Sequence, residues 1–255
     1  MNPSIRPTLA DRLDWVVDWL YPPSCRACGG RIYGRDGEYL CASCWSRIRL
    51  VAHPLCNFCG RPFIDASGDD HACAACLIRA PHFVCARAWA CYPRDDTAED
   101  PLRQAVQKFK YGPKASLGKP LGRLMAQGCQ EFLKEWRVDL IVPVPLHPRR
   151  LRWRGFNQSL LLAKQVSRKY EVPIDPFVLY RKRETAPQTQ LAEDDRRKNV
   201  RGAFATRPDR SLKGKSLLLV DDVYTSGATV NECSRVLLHG GAKEVYVLTL
   251  ARTVS

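Results

Sequence analysis

The sequence predicts an α/β protein with a mostly parallel sheet, preceded by a small cysteine-rich module. Three observations predict it. From residue 81 onward, aliphatic runs alternate with stretches of helical period, the pattern of βαβ units and parallel strands. Eight of the twelve cysteines fall in C-x-x-C pairs before residue 80. Near that residue, Gly- and Pro-punctuated sequence gives way to the alternation. Three segments follow: an amphipathic helix over 1–20, the cysteine module over 21–80, and the α/β domain over 81–255.

In the first segment Leu9, Leu13, Val16, Val17 and Leu20 fall at helical spacing. Asp11, Arg12, Asp14 and Asp18 interrupt it, which excludes a secretory h-region or a membrane-spanning helix. The helix either docks on the protein's own core or touches a membrane or partner. With no secretory signal, twelve cysteines read as reduced thiols in the cytoplasm, bound to metal. The net charge of +14 favours an anionic partner such as nucleic acid, a phosphorylated ligand or an acidic surface.

In the module, Cys25-x-x-Cys28 is followed after twelve residues by Cys41-x-x-Cys44. Cys56-x-x-Cys59 is followed after thirteen by Cys73-x-x-Cys76. Two thiolates two residues apart can face one ion from a tight knuckle, and two knuckles complete a tetrahedron. That suits zinc, so two structural zinc ions are expected. Pairing in chain order is the expectation; knuckles exchanged between the sites are the alternative. Gly29, Gly30 and Gly60 stand where the backbone must curl. His71 reads as a bystander. Cys85, Cys91, Cys129 and Cys233 lie among apolar residues and read as unreactive core.

In the α/β domain a strand is expected over 88–92. A helix is expected over 100–112, with Leu102, Val106 and Phe109 inward and Gly112-Pro113 as the stop. A single second helix is expected over 116–136, a buried strand over 139–145, a helix over 156–170 and a strand over 177–181. The polar stretch 181–204 reads as a structureless lid. A strand over 216–220, a helix over 228–242 and a strand over 244–252 complete the pattern.

The most specific signal is LLLVDDVYTSGAT, 217–229. A buried strand delivers Asp221 and Asp222 to its carboxyl end, where open parallel sheets bind ligands. Val223, Tyr224, Thr225, Ser226, Gly227, Ala228 and Thr229 then turn into a helix. Small residues, hydroxyls and a helix N-terminus make a phosphate cradle. The acids would face ribose hydroxyls, or act through Mg²⁺.

These thirteen residues resemble the phosphoribosyl pyrophosphate motif of type I phosphoribosyltransferases. The resemblance implies a phosphoribosyltransferase (Rossmann-like) domain. The likeness widens with the double zinc ribbon, Lys108-x-Lys110-Tyr111, VPVPLHPRRLRWRGFNQ (142–158), QTQL (188–191) and RRKNVRGAF (196–204). Together they resemble the competence protein F (ComF) family over nearly the whole chain. That resemblance implies a protein of the cytoplasm, acting with other DNA-uptake machinery at the inner face of the membrane on transforming single-stranded DNA. It also implies that Pro143, Val144 and Pro145 occupy the pyrophosphate loop. Two prolines there remove N–H donors, so the grip would come from Arg149, Arg150, Arg152 and Arg154. With Trp153 and Phe156 interleaved, these arginines also read as a single-strand platform. Asn157 and Gln158 complete the RGFNQ signature, and Lys108, Lys110, Arg196 and Arg197 are further anion candidates. Gln188, Gln190 and Asn199 are polar enough to orient a substrate. The expected function is binding of phosphoribosyl pyrophosphate with magnesium, and of single-stranded DNA, in DNA uptake. The alternatives are an active transferase of nucleotide metabolism, with no acceptor named, and a regulator that senses the metabolite.

Overall fold

The aliphatic runs of the third segment become the strands of one parallel sheet. The computed structural model describes residues 24–32, 39–65, 67–93, 100–111, 115–185 and 193–254. The helix expected over 1–20 lies outside them, as do Gly112, Pro113, Gln188 and Gln190. The strands are β1 (Ala86–Pro93), β2 (Leu140–Pro143), β3 (Leu179–Arg181), β4 (Phe204–Thr206), β5 (Ser216–Tyr224) and β6 (Glu244–Val254). Four of them form the sheet in the order β1-β6-β5-β2, every neighbour parallel.

The helices are α1 (Ala42–Ser46), α2 (Ala74–Ile78), α3 (Pro101–Tyr111), α4 (Gly118–Gly128), α5 (Gln130–Glu135), α6 (Pro148–Arg154), α7 (Gln158–Tyr170), α8 (Glu193–Val200) and α9 (Ala228–His239). Both faces of the sheet are covered, so its central strands read as unbroken apolar runs. On one face Leu218, Val220, Leu248 and Leu250 pack with Phe109 of α3, Met125 of α4 and Leu162 of α7. On the other, Leu217, Leu219, Val245 and Val247 pack with Val230, Cys233 and Leu237 of α9. Burying each leucine stabilises the fold by about 1.5–3 kcal/mol.

The two ribbons dock on opposite faces. Cys25, Leu40 and Cys44 of the first join the α3–α4–α7 core. Cys56, Cys59, Cys73 and Cys76 of the second join the α9 core. The connecting chain runs antiparallel beside β1, with Val51 N–H donating to Trp89 O (3.2 Å) and Cys91 N–H to Arg49 O (2.8 Å). This covers the exposed edge of the sheet.

Four expectations are corrected. The helix over 116–136 is broken at Cys129 into α4 and α5. Gly128 meets the Trp89 ring so closely that a Cβ would overlap it, and the chain kinks there. The strand at 177–181 leaves the main sheet and pairs antiparallel with β4. The stretch 181–204 is not structureless, since it carries α8 and runs into β4. A further helix, α6, spans the arginine-rich turn, with Pro148 at its start and Gly155 (φ +81°) ending it in the left-handed region.

Candidate functional site

β5 runs past the predicted strand end to Tyr224 and carries both acids into a cavity of about 630 Å³. Asp221 Oδ1 accepts from Ser159 Oγ on α7 and from the Asp222 backbone N–H, each at 2.9 Å. Asp222 Oδ1 lies 3.1 Å from Lys110 Nζ on α3 and accepts the Val223 N–H at 2.6 Å. Burial, then the neighbouring Asp222 carboxylate, pushes Asp221 up to about 7. Burial alone would lower Lys110, but the two carboxylates outweigh it and raise its pKa. Lys110 thus balances the acid pair, and Asp221 titrates near neutrality.

The phosphate loop follows. Gly227 has φ +75° and precedes α9, and a Cβ there would overlap the Tyr224 hydroxyl. Both facts require glycine. Gly227→Ala is expected to push the Tyr224 ring aside and to destabilise the protein by about 1–3 kcal/mol, the cost of strained backbone of this kind. Thermal denaturation of the variant checks it. Thr225, Gly227 and Thr229 line the acid-pair cavity. Ser226 and Ala228 line a second cavity on the other side of the loop.

The RGFNQ signature aims an arginine. Gly155 turns the chain out of α6. Asn157 then caps α7, accepting from Leu160 N–H (3.4 Å) and donating to Val144 O (3.0 Å). Gln158 is buried, and its Oε1 accepts from Arg154 Nη1 at 2.8 Å. Arg154 lies over the Tyr111 ring and lines the cavity with Arg149, Arg150, Arg181 and Arg196. Val144 and Pro145 line it too, but Val144 N–H is already bonded to Val220 O (2.9 Å). On this side of the cavity the guanidinium groups, rather than the Val144 N–H, are therefore the donors on offer.

Several expected residues stand elsewhere. Phe156 packs against Phe109 in the core, centroids 5.7 Å apart, which removes it as a base-stacking surface. Trp153 remains exposed at the cavity rim. Lys108 donates to Ala27 O of the first ribbon and so turns from the site. Arg152 is exposed, outside both cavities, and Pro143 is buried within β2. The Asn199 carbonyl accepts from Arg183. Arg197 lines the second cavity, whereas its neighbour Arg196 lines the first. Ser159 is not singled out by the sequence, and Arg181 reads there only as the start of the lid. Ser159 directly follows the signature, which was the available clue, whereas the position of Arg181 depends on the β3–β4 ribbon.

The cysteines gather in chain order. Cys25, Cys28, Cys41 and Cys44 form one tetrad, and Cys56, Cys59, Cys73 and Cys76 the other. The ligand atoms of each lie within 4.8 Å of one another. A tetrahedron with zinc–sulfur bonds of about 2.3 Å has edges of about 3.8 Å. The Cys28–Cys41 and Cys59–Cys73 sulfur pairs are each 3.8 Å apart. Gly29 (φ +82°) and Gly60 (φ +67°) curl the two knuckles, and Cys73 N–H donates to Cys56 Sγ at 3.3 Å. The residues fit two zinc ions. His71 stays outside, stacked on Phe63. Burial pushes Cys85 up to about 11 and Cys129 up to about 12, and holds Cys233 well above the ordinary thiol range, so these thiols are poor nucleophiles.

Comparison with known proteins agrees with both halves. A double zinc ribbon domain matches residues 16–77, and a phosphoribosyl transferase domain matches 157–254. Competence protein F of Haemophilus influenzae is 30% identical over 233 residues, 89% of this chain and 96% of that protein. The chain belongs to the competence protein F family. Within it, DNA utilization protein YhgH of Escherichia coli K12 is 34% identical over 221 residues, 84% of this chain and 91% of that one. Competence protein ComFC of Bacillus subtilis is 26% identical over 234 residues, 86% of each chain. The likeness to competence protein F thus spans both ribbons and the α/β domain, as the motifs implied. Among the described residues, no helix is long and apolar enough to cross a membrane.

Proposed function

We propose that the chain binds phosphoribosyl pyrophosphate with magnesium in the acid-pair cavity, binds single-stranded DNA on its basic surface, and acts in DNA uptake from the cytoplasmic side of the membrane. One observation carries the reading. The acid pair, the Gly227 loop and five arginines (Arg149, Arg150, Arg154, Arg181 and Arg196) line a single cavity. An acid pair suits ribose hydroxyls or magnesium, the loop suits a 5-phosphate, and forked guanidinium groups suit a diphosphate. The names of the relatives, competence and DNA utilization proteins, support the uptake role.

Calorimetry with phosphoribosyl pyrophosphate and Mg²⁺ tests the first part, and heat indistinguishable from the diluent would refute it. Filter binding of oligonucleotides at rising salt tests the second. A strand held through its phosphates weakens linearly in log–log form as counterions are released. The same geometry would stabilise departing pyrophosphate, so acceptor-dependent pyrophosphate release would turn the reading towards a transferase of nucleotide metabolism.

The titration of Asp221 gives a signed expectation. Its pKa in the unliganded site is about 7, and ribose hydroxyls or magnesium favour the carboxylate. Binding therefore releases a proton, and affinity rises as pH goes from 6 to 8, by at most about one log per pH unit. Calorimetry in two buffers of different ionisation enthalpy measures the proton directly. Proton uptake, or affinity falling with pH, would contradict the assignment.

A further inference from the structure

The phosphate loop has a second side. Beyond it lies a cavity of about 750 Å³ between the loop, the second ribbon and the end of α8. Tyr224, Thr225 and Gly227 line both cavities, so the loop is the wall between them. The sequence motif accounts for the inner face of that wall but leaves the outer face unassigned.

Six arginines line this outer cavity: Arg61, Arg79, Arg197, Arg201, Arg235 and Arg252. They come from the second ribbon and the chain after it, from α8 and the turn beyond, from α9 and from β6. Among the described lining residues the one carboxylate is Glu232, which is held by Arg235 at 2.7 Å and by Gly202 N–H at 2.8 Å. A zinc ion held by four thiolates adds two negative charges, and among the described residues the guanidinium groups lining the cavity outnumber these charges. Like charges gathered around one space repel, and an anion entering it relieves them.

Arg252 braces the wall from behind. It is 5% exposed, donates to Cys59 O and lies over the Tyr224 ring, so it adds fixed positive charge beneath the cavity while the outer arginines make the contacts.

We propose that this outer cavity is the seat of a single-stranded nucleic acid, gripped through consecutive phosphates. Six spread guanidinium groups suit a chain of phosphates better than one. Phe83 and Tyr224 at the cavity are 5% and 8% exposed, so neither offers its ring face to a base, and His82 is the one exposed ring among the described lining residues. The grip is on the backbone and indifferent to sequence, with the bases outward. This rests on the strand-binding reading above and assigns it a site, leaving the α6 arginines to the diphosphate.

The test uses the full-length, zinc-loaded protein and a fluorescent oligothymidylate of fifteen nucleotides. The variant Arg79→Glu/Arg201→Glu changes two exposed arginines of the outer cavity. The control Lys213→Glu/Lys215→Glu makes the same charge change at exposed positions by the opposite end of β5. By anisotropy, the arginine variant is expected to bind at least tenfold more weakly, with the salt slope reduced by about 1.4 for two lost phosphates. The control changes affinity less than threefold, and both keep two zinc ions, the parent melting temperature and unchanged phosphoribosyl pyrophosphate binding. An arginine variant that binds like the control overturns the site and leaves the strand-binding reading intact. A parent protein that does not bind the oligonucleotide at low salt overturns that reading, and the site with it.

Discussion

Asp221→Asn/Asp222→Asn is expected to abolish detectable binding of phosphoribosyl pyrophosphate. A hydrogen bond to a charged group contributes about 1.5–3 kcal/mol, or about 10- to 150-fold in affinity for each carboxylate. The two acids do not stand alone, because Lys110 sits 3.1 Å from Asp222 and is the cation that balances them. Each single variant therefore loses a ligand contact and also leaves Lys110 less well paired. Asp222→Asn is expected to show the larger loss of the two, because it removes the direct ion pair. Stability need not fall in parallel at Asp221, whose ionised form is disfavoured by burial and by Asp222. Calorimetry at pH 8, with zinc content as the folding check, decides the matter. A double variant that binds as the parent does would remove the acid pair from the site.

Cys56→Ser is expected to halve the zinc content, from two ions to one, and to unfold the second ribbon. Structural zinc supplies about 10–16 kcal/mol of apparent binding energy in small modules, comparable with or above the 5–15 kcal/mol that holds a whole domain together. A serine hydroxyl at this position cannot replace the thiolate. The effect should reach the ligand site. Arg252 ties the Cys59 carbonyl to the Tyr224 ring, and that ring backs Gly227. Loss of the knuckle frees Arg252, so affinity for phosphoribosyl pyrophosphate is expected to fall as well. Metal analysis and limited proteolysis between residues 56 and 76 check the first effect, and calorimetry checks the second. Two zinc ions retained in the variant would refute the tetrad. Half the zinc with unchanged ligand affinity would refute the link through Arg252.

The sequence was legible where chemistry is local. Cysteine spacing named both metal sites, because a knuckle is made by residues two apart and glycine supplies its left-handed turn. The acid pair and loop were legible because strand, carboxylates and helix start are contiguous, with Gly227 required by its φ of +75°. Helix breaks were less so. The kink at Cys129 depends on the Trp89 ring, some forty residues away in the chain, against which Gly128 packs. Aromatic roles also escaped. Trp153 and Phe156 look alike in the sequence, yet one is exposed at the cavity and the other packs on Phe109.

The motif from Leu217 to Thr229 and the eight paired cysteines were thus determined by the chain alone, since their partners are near neighbours in sequence. Tertiary structure decided which basic residues meet which cavity. Arg196 and Arg197 are adjacent, yet α8 presents them to opposite sides of the phosphate loop. Lys108 and Lys110 share one helix, yet one holds the first ribbon and the other the acid pair. A helix turns each successive residue by about 100°, so neighbours diverge in space, and only the packing of ribbons against opposite faces of the sheet says what each one meets.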